Sequence, residues 1–361
     1  MHLRALGGEV ELRVWHGQDP GDAHWGCPIR EQWGLSAHQQ LSLALEDKLA
    51  FTVTATGSYA EAAAVAEKWG CPVADATLHA LTQRLGERAE AQTQERLKTG
   101  PAEAEPERAP TALAVLLLDG WQVRQRGPGW GKSKTPENRV EWHELKTGVF
   151  YRHEQAAQTE GGRGLLAEKV VVSWQGEPLE IGRRLHWEAL RGGLARAQDV
   201  LVLGDGAPWI WNVAADRWKG ATEVLDFYHA SQHLWAVGRA LTGSEAEAAL
   251  WVEPRRHRLR HDQEARVLKE FASLKPGRGD RGKVLRREQD YFASHRERIH
   301  YRQIADRGWP IGSGAVESAC RQRQGRFKRP GQFWTPAGLR NLCALEEARR
   351  NHHWEQLWTA V

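Results

Sequence analysis

Two kinds of apolar periodicity divide this chain. Up to about residue 98 apolar side chains recur at helical spacing, whereas beyond residue 110 they come as short unbroken runs. Residues Met1 to Gly34 show little periodicity and several Gly, Pro and Trp, and the pattern assigns them no element. Ser36 to Leu49 is spaced as a helix. Ser58, a good N-cap, opens a second that runs through Glu61 and Val65 to Trp69. Gly70-Cys71-Pro72 turns the chain into a third, Ala74 to Leu85, with Leu78, Leu81 and Leu85 on one face. Helix, glycine turn and helix predict either a helix-turn-helix or an ordinary helical hairpin, and the third helix offers only Arg84 and Arg88 as cations. Thr99 to Pro110 is rich in Pro, Ala and Glu and has no apolar face, as a linker has none. The expected organisation is an N-terminal all-α region over 1–98, a linker over 99–110 and a larger domain over 111–361.

Past the linker the pattern is one of strands. The first is Ala114 to Arg124, opening in a run that is apolar from Ala112 to Leu118, and a connection over Gly127 to Pro136 leads to Val140–Arg152. Val170–Trp174 is the third strand, Leu185–Ala197 a helix, Val200–Leu203 the fourth strand, and Trp209–Trp218 a short helical segment. Glu223–Phe227 is the fifth strand and runs into a helix carrying His229 and His233. From about 235 to 307 the chain reads as helical and strongly charged, an insertion ahead of the last helix. Three strands, helix, strand, helix, strand and a later helix make an α/β protein with the element order of the ribonuclease H-like fold.

Three carboxylates stand where that fold carries acids. Asp119-Gly120 ends the apolar run Ala112–Leu118 and Gly204-Asp205-Gly206 the run Val200–Leu203, although an Asp-Gly after a strand also makes a plain turn. The third is Glu317, in a stretch from Gly308 to Arg329 that packs a turn, a helix start and a run of cations together. Ser313 caps that helix, Glu317 lies in its first turn where the helix dipole favours an acid, and Arg321, Arg323, Arg326, Lys328 and Arg329 follow. An acid at the head of a basic helix suits a group held beside phosphates. Three weak signals that agree with one topology outweigh each alone.

Charge sharpens the picture. The chain is nearly balanced at +4, but residues up to Pro110 hold 10 Lys/Arg against 16 Asp/Glu, and the remainder 40 against 30. A polyanionic partner is therefore met by the C-terminal part. Arg255 to Arg307 alone holds 16 Lys/Arg against 8 Asp/Glu, so Arg255, Arg256, Arg258 and Arg260 read as a clamp on DNA backbone, with a solvated helical face as the alternative. His229 and His233, spaced i and i+4 with Asp226 near, lack a clear third ligand for zinc, so these three are expected to support the active site or position DNA. Among 18 tryptophans, Trp209, Trp211 and Trp218 follow Asp205 closely enough to stack on frayed bases, while Trp334 and Trp358 read as packing. Four single cysteines without a CxxC pair argue for a reducing compartment, and no apolar run reaches spanning length, so a cytoplasmic protein without a membrane partner is expected.

The blocks LLLDG, GDGAPWIWN, LDFYHASQHL and GWPIGSGAVESACR, and the ending RNHHWEQLW, resemble the signatures of bacterial insertion-sequence transposases of the Kra type, a branch of the DDE transposases. The resemblance covers about Leu116 to Trp358. It implies a ribonuclease H-like catalytic domain in which Asp119, Asp205 and Glu317 hold two Mg²⁺ or Mn²⁺ ions, Asp119 bridging them. It also implies double-stranded transposon-end and target DNA as substrates, and a homo-oligomer on DNA in a bacterial, nucleoid-associated setting. Paired divalent ions about 3.5–4 Å apart suit phosphodiester cleavage, because one activates water and the other neutralises the leaving 3′ oxygen. The residues alone leave two other readings open: another ribonuclease H-like metal-dependent nuclease, or a non-catalytic DNA-binding protein derived from a transposase.

Overall fold

The computed structural model describes residues 1–18, 21, 25–35, 39–99, 111–132, 139–160 and 164–359. The chain forms two compact units. One comprises Met1–Glu95, Arg124–Glu141 and Gln324–Val361, the other Arg96–Val123 and Trp142–Arg323.

The first unit opens with two antiparallel hairpins, β1 (His2–Ala5) with β2 (Gly8–Glu11) and β3 (Gly17–Gln18) with β4 (Trp25–Gly26), and a short helix α1 (Pro28–Gln32). Then come α2 (Leu43–Ala55), α3 (Tyr59–Lys68) and α4 (Asp75–Thr99). Ser58 caps α3 as expected, its hydroxyl accepting from Glu61 N at 3.1 Å, and Gly70 turns the chain at φ +78°. The helix predicted over Ser36–Leu49 starts later, with Ser42 as its cap, and residues 36–38 lie outside the described residues. Helix α4 runs on past Leu85 because the polar stretch that follows, EAQTQERLK, consists almost wholly of good helix formers. Thr99 ends it, and the rest of the expected linker, residues 100–110, lies outside the described residues. So do residues 133–138 of the connection expected after the first long strand.

The second unit is built on a five-stranded mixed sheet. Its strands are β5 (Leu113–Arg126, within this unit up to Val123), β6 (Val140–Arg152), β9 (Val170–Trp174), β10 (Asp199–Gly204) and β11 (Thr222–Leu225), in the order β11-β10-β5-β6-β9. A small hairpin of β7 (Ala156–Gln158) and β8 (Gly164–Leu166) precedes β9. β5, β10 and β11 pair in parallel, and β6 pairs with β9 antiparallel. Leu113 to Leu118 are each at most 1% exposed, and Leu201, Val202 and Leu203 are fully buried, as parallel strands covered on both faces must be. Helices α5 (Pro178–Arg191) and α6 (Pro208–Arg217) pack together, and Trp218 Nε1 donates to His186 Nδ1 at 3.1 Å. The helix predicted over Leu185–Ala197 is shifted toward the N-terminus: Pro178 starts it and Gly192-Gly193 stops it, with Gly193 at φ +98°.

From Phe227 to Asp306 the chain is helical with short breaks, through α7 (Phe227–Leu241), α8 (Glu245–Arg260), α9 (Glu264–Ser273), α10 (Asp280–Ser294) and α11 (Tyr301–Asp306). Helix α12 (Gly314–Phe327) follows. A mixed α/β unit with this sheet is consistent with the ribonuclease H-like arrangement that the element order predicts. The last helix, α13 (Pro336–Arg350), returns to the first unit, where Leu339, Leu342 and Leu345 are buried with Leu45, Leu49 and Leu85. Arg349 Nη2 donates to Thr54 O at 3.1 Å and Trp354 Nε1 to Asp47 Oδ1 at 2.6 Å. A Cβ on Gly86 would lie 2.3 Å from Asn341 O, so only glycine admits this approach of α4 to α13.

Candidate active site

Strand register places the acids. Gly204 of β10 pairs with Leu118 of β5 on one side and with Leu225 of β11 on the other. The next residue on each path is Asp205, Asp119 and Asp226 in turn, so three aspartates stand in one row across three parallel strands, just past the C-terminal ends of β10 and β11 and within β5, which runs on to Arg126. Neighbouring strands lie about 4.8 Å apart, which sets the scale of the row. Asp226 N continues the ladder by donating to Gly204 O at 2.8 Å. Sites in open α/β sheets form at this edge.

Glu317 reaches the row from α12. Phe227 N donates to Ile311 O at 3.0 Å, and Ser313 N donates to Asp226 Oδ2, so the approach to α12 is fastened to the end of β11. The Ser313 hydroxyl, expected to cap the helix, donates instead to Glu317 Oε1 at 3.0 Å. Asp226 caps α7, its Oδ1 accepting from His229 N at 2.7 Å. As a result Asp226, His229 and Glu317 present ligand atoms all within 4.8 Å of one another. Asp226 is fully buried, while His229 and Glu317 are half-buried.

Asp119 is held differently. Its Oδ1 accepts from Gly120 N at 2.7 Å, and the Cys320 thiol beside it favours the charged carboxylate. Burial pushes the Asp119 pKa up, and the Asp205 charge beside it pushes the same way. The Cys320 thiol is likewise driven up, by burial first and then by Asp119. Among the described residues none of Asp119, Asp205, Asp226 and Glu317 forms an ion pair with Lys, Arg or His. Among the described residues the ligand atoms that lie within 4.8 Å of one another are those of Asp226, His229 and Glu317, and Asp119 and Asp205 stand outside that group; carboxylates without a counter-charge suit divalent cations.

The insertion grips the Asp205 loop. Asp205 Oδ1 accepts from Ala207 N at 2.9 Å, and Tyr291 of α10 donates its hydroxyl to Asp205 O at 2.8 Å. Gly206 sits at φ +100° with its Cα facing the Tyr291 ring, where a Cβ would come within 2.9 Å. His295 Nδ1 meets Tyr291 O at 2.7 Å, and its Nε2 lies 3.1 Å from Gly206 O and 3.2 Å from Trp211 Nε1. Burial lowers the His295 pKa against the opposite pull of the two carbonyls. His233 stacks on Tyr291 with ring centroids 3.5 Å apart and bonds the fully buried Glu288 through Nδ1. His229 and His233 are therefore separated in role: His229 joins the acids, and His233 braces α10.

No protein-family profile and no curated protein matches the chain. Among solved structures it is similar to a Drosophila P element transposase strand transfer complex. That match has 12% sequence identity over 92% of this chain and 82% of the other, at a TM-score of 0.28.

The expected DNA contacts are distributed unevenly. Arg323 and Arg326 are 1% and 6% exposed, so the basic row on α12 is broken by two buried side chains that are withdrawn from a phosphate backbone. Arg321 is exposed, Lys328 is half-buried, and Arg329 pairs with Glu61 at 2.7 Å. In α8, Arg255 lies over the Trp251 ring at 3.8 Å and pairs with Glu270 at 2.9 Å, Arg258 pairs with the same carboxylate, and Arg256 pairs with Glu253 at 2.8 Å. Arg260 is exposed, with its guanidinium 5.4 Å from the Phe227 ring. Trp211 and Trp218 are buried and hydrogen-bonded, which withdraws both from base stacking; Trp209 is half-buried with Lys146 Nζ 5.6 Å from its ring. Sequence reasoning missed Cys320 and Tyr291. Cys320 had a readable signal, since it follows Glu317 by one helical turn on the same face; Tyr291 had none, since its partner lies 86 residues away.

Proposed function

We propose that this chain is a DDE-type transposase that nicks transposon-end DNA and joins the freed 3′-OH to target DNA. The reading is carried by the row of Asp119 and Asp205 at one sheet edge, with Glu317 delivered to that edge by α12. Asp119, Asp205 and Glu317 would hold two Mg²⁺ or Mn²⁺ ions. When bound, such ions supply a nucleophile at neutral pH and stabilise the charge on the leaving oxygen. The chain's own contribution is placement. Gly120 N and Cys320 orient the Asp119 carboxyl, the Tyr291 hydroxyl and Ala207 N fix the Asp205 loop, and the Ser313 hydroxyl orients Glu317. Exposed Arg321 and Arg260 are the cations placed to meet DNA backbone. The substrate is double-stranded DNA, the working form on paired ends is at least a dimer, and the setting is a bacterial cytoplasm.

The test is cleavage of a labelled duplex carrying the inverted repeat that flanks the coding region, in Mn²⁺ or in EDTA, by wild type and Asp205→Asn. Metal-dependent 3′-OH ends at the repeat boundary, absent in the variant, are expected. Cutting that ignores the repeat would instead identify a ribonuclease H-like nuclease, and binding without cutting a repurposed DNA-binding protein.

A further inference from the structure

We infer that Asp226, His229 and Glu317 form a divalent-cation subsite with one nitrogen donor, placed at the β11 end of the acid row and sharing Glu317 with the carboxylates on β5 and β10. The inference deepens the reading above, and rests on it only through Glu317.

Three observations carry it. The three ligand atoms lie within 4.8 Å of one another, and a cation held at about 2.1 Å spaces adjacent and opposite ligands about 3–4.2 Å apart, so binding needs only a small contraction. The charge is uncompensated: Asp226 is fully buried, yet among the described residues neither it nor Glu317 has a Lys or Arg partner. A carboxylate removed from water without a counter-charge is costly, and a bound cation supplies that charge. Finally, the His229 imidazole is free. Its backbone N–H is engaged by Asp226, but among the described residues neither ring nitrogen hydrogen-bonds a protein group. Both Asp226 oxygens meanwhile accept backbone N–H bonds, from His229 and Ser313, which orients the carboxylate while leaving lone pairs for a metal.

The donor set decides the ion. Imidazole suits Mn²⁺ and Zn²⁺ better than Mg²⁺, so this subsite selects for the softer cations while an all-carboxylate position beside it does not.

The decisive experiment uses the full chain without DNA. Mn²⁺ is titrated in and the complex examined by pulsed electron paramagnetic resonance for the ¹⁴N coupling of a directly coordinated imidazole. Wild type and Asp205→Asn are expected to show the coupling. His229→Gln is expected to lose it and to bind Mn²⁺ at this position at least tenfold more weakly, with its melting temperature in EDTA confirming an intact fold. No ¹⁴N coupling in wild type at saturating Mn²⁺, or coupling that persists in His229→Gln, overturns the subsite. Wild-type protein decides the matter even if the variant fails to fold. Coupling present with no DNA cleavage sinks the transposase reading alone; cleavage with no coupling sinks the subsite alone.

Discussion

At the scale of single residues, Asp119 holds the sharpest tension. Its carboxyl is half-buried beside Asp205 and its pKa is raised, so folding shifts it toward the protonated form. A carboxyl whose folded pKa lies above its unfolded value contributes stability below the unfolded value and loses it as pH rises through the folded one. Asp119→Asn should therefore gain stability over wild type in EDTA as pH rises above the ordinary carboxylate range, since the half-buried charge is gone. The same variant should lose the rise in melting temperature that Mn²⁺ gives wild type, as thermal melts with and without metal would show. Tyr291→Phe removes a 2.8 Å hydrogen bond and leaves Asp205 O short of a partner, costing about 1–3 kcal/mol in urea unfolding. How much of this was legible depends on distance along the chain. Asp119 and Asp205 are marked by the Asp-Gly that closes an apolar run and Glu317 by a helix start, all local signals. Asp226 reads only as a support for neighbouring histidines until the register of β11 against β10 lifts it into the row, and no local pattern encodes register between distant strands.

Whole elements were easier to find than their ends. β6 and β9 fall where alternation and apolar runs put them, because side-chain periodicity is a property of the strand itself. The apolar pattern starts α5 seven residues late because it gives Pro178 no weight as a first-turn residue, and it ends α4 where the apolar face ends although helix propensity continues. The place of α13 follows from its apolar face rather than from its neighbours in sequence. Leu342 is 1% exposed there, so Leu342→Ala should cost about 2–5 kcal/mol, measured by urea unfolding of the full chain. An effect below about 1 kcal/mol would show that α13 contributes little to the first unit.

For the molecule as a whole, charge count and charge exposure are different quantities. The surplus of cations beyond Pro110 is real in the sequence, yet Arg255, Arg256, Arg258 and Arg329 answer to nearby glutamates and Arg323 and Arg326 are buried. If DNA is the substrate, Arg321→Ala should weaken binding evenly across sequences and reduce the slope of log affinity against log salt by about one, whereas Arg323→Ala should act mainly on stability. Equal loss of slope in both variants would mean that the buried arginine emerges on binding. The acid row also has a consequence for how such a protein can die. Asp119, Asp205, Asp226 and Glu317 are scattered over nearly two hundred positions and brought together by three strands counted from their pairing, so the row depends on spacing as much as on identity. Deleting one residue between Val200 and Leu203 would leave every acid in the gene and turn Asp205 to the wrong face. A copy silenced that way would look intact to any comparison that checks only whether the acids are present.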